Sequence, residues 1–246
     1  MSASASVVRL IGPPEADGEY MVLGVGAEGA AVEETVHLHD YTRIYGVPGL
    51  YEQVLQELLG CRSPEVAAQG LARALEALEV DPAQLTMLDL GAGTGLVGEL
   101  VRELGISAVI GLDALPAARM AALRDRPGVY RDYLVGDLAD PAPGLLDRLR
   151  ERNIGGLVAS GAFGGTHAPA SALETALKLL PPGAPVVFTI HEDWMQTDGP
   201  GGFRTAVAQL LASGRLVQLE RSRFHHRVTT TGEPIHFELL VAATGR

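Results

Sequence analysis

Between Thr86 and Gly98 the chain reads Thr-Met-Leu-Asp-Leu-Gly-Ala-Gly-Thr-Gly-Leu-Val-Gly, an apolar strand-like run that enters a glycine-rich turn and opens a helix. Gly91, Gly93 and Gly95 permit a tight bend and a close ligand approach that a Cβ would block. The unpaired N–H groups of the following helix start offer hydrogen bonds to a polar ligand, so the turn reads as a nucleotide-binding loop. Gly93 to Gly98 also satisfies the dinucleotide spacing G-x-G-x-x-G. Register argues against that template: the strand ends at Leu90, and a fingerprint beginning at Gly91 needs glycine or alanine where Leu96 stands. Asp89 argues against it too. A carboxylate inside an apolar strand is costly to bury unless it accepts hydrogen bonds, and it would repel a pyrophosphate.

Two further strand-like runs end in acids, Val109-Ile110-Gly111-Leu112-Asp113 and Tyr133-Leu134-Val135-Gly136-Asp137-Leu138. With Leu88 to Gly95 they resemble the motifs of the class I S-adenosylmethionine-dependent methyltransferases. The resemblance implies S-adenosyl-L-methionine as cofactor. It places Asp89, Gly91, Ala92 and Gly93 at the loop, Asp113 with Ala114 at the ribose hydroxyls, and Asp137 at the adenine amino group, with Leu138 offering a backbone N–H. Ser160 and Tyr41 complete the implied cofactor set, Tyr41 as part of a segment that closes over the methionine end. More specifically, the chain is similar to bacterial small methyltransferases related to the methyltransferase-like proteins named after a Williams-Beuren region gene. That similarity is carried by Tyr45 to Glu52, Gly60 to Glu65, Arg126 to Tyr130 and Phe224 to Arg227, and it extends from about Asp40 to the C-terminus.

The elements that must hold these residues follow from periodicity. Strand-like and helix-like stretches alternate from residue 86 to residue 213, which requires a parallel sheet with helices on both faces. Leu216 to Phe224 and Ile235 to Ala243, joined by a Thr-rich turn, break the rhythm as an antiparallel hairpin. The expected fold is therefore α/β and Rossmann-like. The methyltransferase resemblance implies a seven-stranded, mostly parallel sheet with that hairpin at its end and a helical cap before it. Residues 83–246 form the expected cofactor domain and 37–82 a cap, with helices over 48–59 and 63–78, the second capped by Ser63. Residues 1–36 are an N-terminal extension with two β-prone pieces, Val7 to Ile11 and Tyr20 to Val25.

Composition narrows the partners. A net charge of -11 without a basic run argues against nucleic acid, whose affinity is built largely from lysine and arginine contacts. A lone Cys61, the lack of a signal-type N-terminus and the lack of a membrane-length apolar run point to a cytoplasmic protein without membrane contact. A small-molecule acceptor is expected, and a homodimer is compatible with the sequence.

Methyl transfer from a sulfonium is an in-line displacement on an activated donor, so a base is needed only if the acceptor must lose a proton. The candidates are His191 at the end of the fifth parallel strand and His167 after the fourth, with Tyr45 beside them; His191 is preferred. Glu192, Asp193 and Trp194 read either as a group that orients a cationic acceptor or as a solvated loop with a packed indole. Phe163 reads as either pocket lining or core. The Asn/Asp-Pro-Pro-aromatic motif of amino-methylating DNA enzymes and the Pro-Cys pair of cytosine-C5 enzymes are both absent. His37, His39 and Asp40 lack companion ligands at metal-site spacing, so no metal is expected. His225-His226 and Cys61 read as structural. Two other functions remain compatible with the loop: a cofactor-binding protein with a non-methylating role such as cyclisation or regulation, and a nicotinamide-dependent oxidoreductase.

Overall fold

The structure, a computed structural model, describes residues 4–12, 18–26, 32–164, 167–198 and 202–245. Its first part is an antiparallel sheet of β1 (Ser4–Ile11), β2 (Tyr20–Gly26) and β3 (Val32–His37), in that order. Next come a short helix α1 (Tyr41–Tyr45), a π-helical turn Glu52–Leu58 and α2 (Ser63–Ala77). The chain then alternates through β4 (Thr86–Leu90), α3 (Leu96–Glu103), β5 (Ala108–Asp113), α4 (Pro116–Asp125), β6 (Asp132–Val135), α5 (Leu145–Arg150), β7 (Gly156–Phe163), α6 (Ala170–Leu177) and β8 (Pro185–His191). After α7 (Glu192–Gln196) and α8 (Phe203–Ala212), β9 (Leu216–Val228) and β10 (Pro234–Thr244) form the terminal hairpin.

The seven strands from β4 onward make one sheet in the order β6-β5-β4-β7-β8-β10-β9. β4 to β8 pair in parallel, and β10 runs antiparallel to both β8 and β9. This is the α/β sheet with a reversed terminal hairpin that the alternation implied. All five residues of β4 are buried, because helices cover both faces of the central strands. On one face Leu88, Ile110, Leu134 and Phe188 pack with Leu145, Leu149, Leu173, Val207 and Leu210 of α5, α6 and α8. On the other, Met87, Val109, Val158 and Val187 pack with Leu71 and Leu75 of α2 and Val97 and Val101 of α3. The strand order reverses between β4 and β7, and a ligand crevice forms at the carboxyl ends of strands beside such a reversal.

N-terminal to that sheet, three features differ from the sequence expectation. β3 adds a third strand to the two β-prone pieces. Its alternation Val-Glu-Glu-Thr-Val-His is broken by two adjacent acids, and only pairing with β2 organises it. The expected helix over 48–59 narrows to the π-helical turn, and the Tyr-rich segment before it forms α1. Ser63 is the first residue of α2 rather than its cap; its hydroxyl meets Nδ1 of His226 at 2.6 Å. No helix among the described residues is long and apolar enough to cross a membrane.

A buried ion pair ties this N-terminal part to the hairpin. Both guanidinium ends of Arg227 donate to the Glu19 carboxylate, which also accepts from the Thr230 amide at 2.8 Å. Burial pushes the Glu19 carboxyl up, but these donors outweigh it and hold it below its ordinary range. Backbone bonds from Leu38 to Glu19, from Arg62 to His226 and from Val228 to Leu59 continue the seam. Met21, Leu23 and Val36 of the small sheet share an apolar cluster with Ile44, Tyr45 and Leu50, and with Ala118, Ala121 and Ala122 of α4.

One close approach explains a glycine in α3. A Cβ on Gly98 would lie 2.5 Å from the ring of Tyr130, which crosses the helix there. Gly98→Ala is expected to cost about 1–3 kcal/mol through overpacking and to lower Tm by several degrees. In a double-mutant cycle with Tyr130→Ala, monitored by thermal unfolding, the two losses should be markedly less than additive. Additive losses would mean that the tyrosine is not what excludes the side chain.

Candidate functional site

The glycine turn lies at the carboxyl end of β4, and its three glycines all have left-handed backbone: φ is +72° at Gly91, +51° at Gly93 and +94° at Gly95. Each also has a neighbour where a side chain would be. Ala162 lies 2.5 Å from a Cβ on Gly91, the Tyr45 hydroxyl 2.9 Å from one on Gly93, and the Tyr130 ring 3.0 Å from one on Gly95. The amides of Gly91 and Ala92 both donate to the Leu112 carbonyl, which folds the turn against β5. Gly98, the third glycine of the apparent dinucleotide pattern, is occupied by Tyr130, so packing rather than phosphate contact accounts for it.

Asp113 ends β5 with both carboxylate oxygens engaged, Oδ2 by the Gly93 amide at 3.0 Å and Oδ1 by the Leu115 amide at 2.9 Å. Burial raises its carboxyl, and these two amides partly offset the shift. Ala114 beside it is exposed. Asp89 is only 1 % exposed and accepts from the Tyr130 hydroxyl at 2.7 Å. Desolvation pushes its carboxyl up to about 7, partly opposed by the Tyr130 hydrogen bond, with the nearby Asp113 adding to the rise. Tyr133 donates to the Gly93 carbonyl at 2.8 Å. At the end of β6, Gly136 bonds to the Asp113 carbonyl; next to it Asp137 is exposed and accepts from the Ala139 amide at 2.7 Å, while Leu138 is buried.

Four buried side-chain oxygens among the described residues have no hydrogen-bond partner: Asp89 Oδ1, Ser160 Oγ, Glu52 Oε2 and Thr230 Oγ1. The first three surround the glycine turn. Asp89 precedes it; Ser160 lies two residues from Ala162, which packs on Gly91; and Glu52 accepts from the Thr94 hydroxyl at 2.7 Å. Orphaned buried oxygens are costly, and their concentration around one turn fits a site built for a polar ligand with donors.

The acceptor side begins at β7, where Ala159 pairs with Phe188 and Phe163 with Ile190, so residues 160–162 bulge from the ladder. Gly161 has φ +62°, and its amide donates to the Thr189 hydroxyl at 2.8 Å. Phe163 is core, 5.6 Å from Phe188 and 5.2 Å from Phe203 between ring centroids. His167 packs at the cap, its ring 5.6 Å from Tyr41 and 5.7 Å from His39, and burial lowers its titration to about 4. Tyr41 stacks on Tyr45 at 5.6 Å, and Tyr51 lies 5.5 Å from Tyr45. Burial raises the phenols of all three.

His191 is differently engaged. Its Nδ1 accepts from the Asp193 amide at 3.2 Å, capping α7, and its ring meets Phe237 edge-on at 5.4 Å. Burial lowers its imidazole, against the pull of Asp193 and Glu192. A neutral imidazole that accepts at Nδ1 carries its proton at Nε2, so the second nitrogen is a donor. Glu192 opens α7 and pairs with Arg223 at 2.6 Å, and Trp194 lies over Gly164, so the segment is a short helix with a packed indole rather than a solvated loop. His226 is buried and stacked on Phe237 at 3.8 Å, and His225 faces His236. The Cys61 thiol is raised to about 11 by burial, which leaves it a poor nucleophile. No group of three or more metal-ligating side chains occurs among the described residues.

No protein-family model and no curated protein matches the sequence. Solved structures do match. The N-methyltransferase NodS from Bradyrhizobium japonicum WM9, in complex with S-adenosyl-L-homocysteine, aligns over 85% of this chain and 98% of its own, with a TM-score of 0.56 and 14% identity. A Pyrococcus horikoshii protein described as a candidate RNA methyltransferase aligns over 76% of this chain and 88% of its own, with a TM-score of 0.54 and 18% identity. The chain has the class I methyltransferase fold. Sequence reasoning missed Glu52, Arg126 and Tyr130 as neighbours of the turn. Their stretches were noticed for family similarity, with no role for any single side chain.

The raised Asp89 carboxyl sets a pH dependence. Between its ordinary 3.8 and about 7 the folded chain retains a proton that the unfolded chain releases. Stability therefore falls as pH rises through that window, and the penalty is complete above about 7. Asp89→Asn keeps an acceptor for Tyr130 and removes the ionisation. Its Tm advantage over the parent chain is expected to widen by several degrees between about pH 5 and about pH 8. Parallel Tm profiles would show that Asp89 titrates normally.

Proposed function

We propose that the chain is an S-adenosyl-L-methionine-dependent methyltransferase that acts on a small-molecule acceptor in the cytoplasm. The observation that carries this reading is the trio of orphaned oxygens around one left-handed glycine turn, with the buried Asp89 and the half-buried Asp113 carboxylates beside it. Such a site suits a ligand with hydroxyl and ammonium donors and a sulfonium charge, and disfavours a diphosphate. In this reading Asp113 binds the ribose hydroxyls, with Ala114 leaving room beside it. Asp137 accepts from the adenine amino group, the Leu138 amide donates to the ring, and Gly91, Ala92, Gly93, Ser160 and Tyr41 enclose the remainder.

The bound cofactor supplies an activated methyl group. The chain's part is to align the acceptor and keep water out, which is where Tyr41, Tyr45 and Tyr51 act over the turn. His167 is assigned as the group that takes an acceptor proton, in preference to His191, whose Nδ1 is committed to the α7 cap. Burial holds His167 near 4, so it is neutral at physiological pH and a weak base, and its part is to take the proton as the methyl transfers rather than to ionise the acceptor beforehand. The net charge of -11 favours a small acceptor over a polyanion.

Calorimetric titration with S-adenosylhomocysteine and with NADH tests the cofactor assignment. Micromolar binding of the former is expected, weakened about ten- to hundredfold by Asp113→Ala in a variant whose Tm shows it folded. Binding of NADH with silence toward S-adenosylhomocysteine would return the loop to an oxidoreductase. With an acceptor identified, His167→Ala should lower kcat by about a hundredfold and His191→Ala by much less; the reverse order would reinstate His191.

A further inference from the structure

Glu52 stands at the start of the π-helical turn, on the cap side of the glycine loop, and its carboxylate is used asymmetrically. Oε1 accepts from the Thr94 hydroxyl and from Arg126 Nη1, both at 2.7 Å, while Oε2 is buried without a partner. Arg126 does not neutralise it alone. The same guanidinium also donates to the Thr94 carbonyl at 3.2 Å and, through Nε, to Glu99 at 3.0 Å. The other nearby cation, Arg124, is spent on Asp125 and the Tyr45 carbonyl. With Asp89 and Asp113 at the ends of β4 and β5, the turn is ringed by more carboxylates than cations. The group that fits an unused, buried carboxylate oxygen in such surroundings is a cationic N–H donor.

Resting on the cofactor reading above, the geometry points to a specific donor. Asp113 and the neighbouring β6 end take the nucleoside on one side of the turn, which leaves the aminoacyl end for the side covered by the cap. We infer that Glu52 Oε2 accepts a hydrogen bond from the α-ammonium of that aminoacyl end, with Thr94 and Arg126 holding the carboxylate in place through Oε1. The cap thereby does more than exclude water: it reads whether the nucleoside carries an intact amino acid. Adenine nucleosides that lack the ammonium lose this contact.

The test compares S-adenosylhomocysteine with its analogue lacking the α-amino group, titrated calorimetrically into the full chain and into Glu52→Gln. Glutamine can keep an oxygen toward Thr94 and Arg126 while placing an amide NH2 where Oε2 stood. The parent chain should prefer S-adenosylhomocysteine over the deaminated analogue by about ten- to hundredfold. Glu52→Gln should erase that preference by weakening only the amine-bearing ligand, with Tm unchanged. Equal weakening of both ligands would show that Glu52 merely supports the loop and overturn the inference, as would a parent chain that binds both equally well; the cofactor reading survives either result. Failure of the parent chain to bind either ligand would reject that reading and this inference with it.

Discussion

The structure turns on the burial of two carboxylates at the ends of neighbouring parallel strands. Asp89 and Asp113 sit where β4 and β5 reach the glycine turn, and desolvation raises both. A sheet designed only for stability would place apolar residues there. Here the loop is organised around them: Gly93 and Leu115 give their amides to Asp113, Tyr130 gives its hydroxyl to Asp89, and Tyr133 returns a bond to the Gly93 carbonyl. Tyr130 can reach Asp89 only because Gly98 and Gly111 leave space for aromatic rings. The desolvation of Asp89 falls where the strand order reverses, the pattern expected of a site whose stability is subordinate to binding.

The cap is not a loose strap. Glu19 and Arg227 are among the few charged residues that are almost fully buried, and each satisfies the other while Thr230 and Val228 take the remaining valences. Removing either partner would strand a charge in the interior, typically at a cost of about 3–5 kcal/mol. The pair locks the small N-terminal sheet onto the terminal hairpin, and the apolar cluster of Met21, Ile44, Tyr45 and Ala118 locks the cap onto α4. Tyr45 is thus delivered to Gly93 by an element anchored at two separate places.

What the sequence made legible was what depends on local periodicity. β4, β5, β8 and the hairpin could be read because buried parallel strands are unbroken apolar runs and the hairpin lacks an intervening helix. What escaped depends on partners far along the chain. Gly98 is the clearest case: as one letter it matched a phosphate-binding pattern, and only Tyr130, thirty-two positions later in the chain, gives its actual reason. Glu19 and Arg227 lie 208 positions apart, and neither residue type announces burial. Glu52 entered only as the end of a stretch similar to the family, and only the folded cap brings it to Thr94. Ser63 was misread as a cap because its competing partner, His226, comes from the other end of the sequence. At the site itself, the loop glycines and strand-end acids could be read because each sits next to its own strand, whereas the acceptor side is assembled from separate segments.

The residues beyond the turn are assembled differently. The sheet and turn supply the strand-end acids, whereas the β7 bulge, His167, His191 and the tyrosines of the cap come from separate segments around them. Burial raises these phenols and lowers these imidazoles, so at neutral pH they carry no charge. Of the charged groups nearby, Glu192 pairs with Arg223 and Arg227 with Glu19, whereas the exposed Asp193 carboxylate meets only His191. Neutral phenols and imidazoles interact by stacking and hydrogen bonds, so what these residues can contribute is alignment rather than charge.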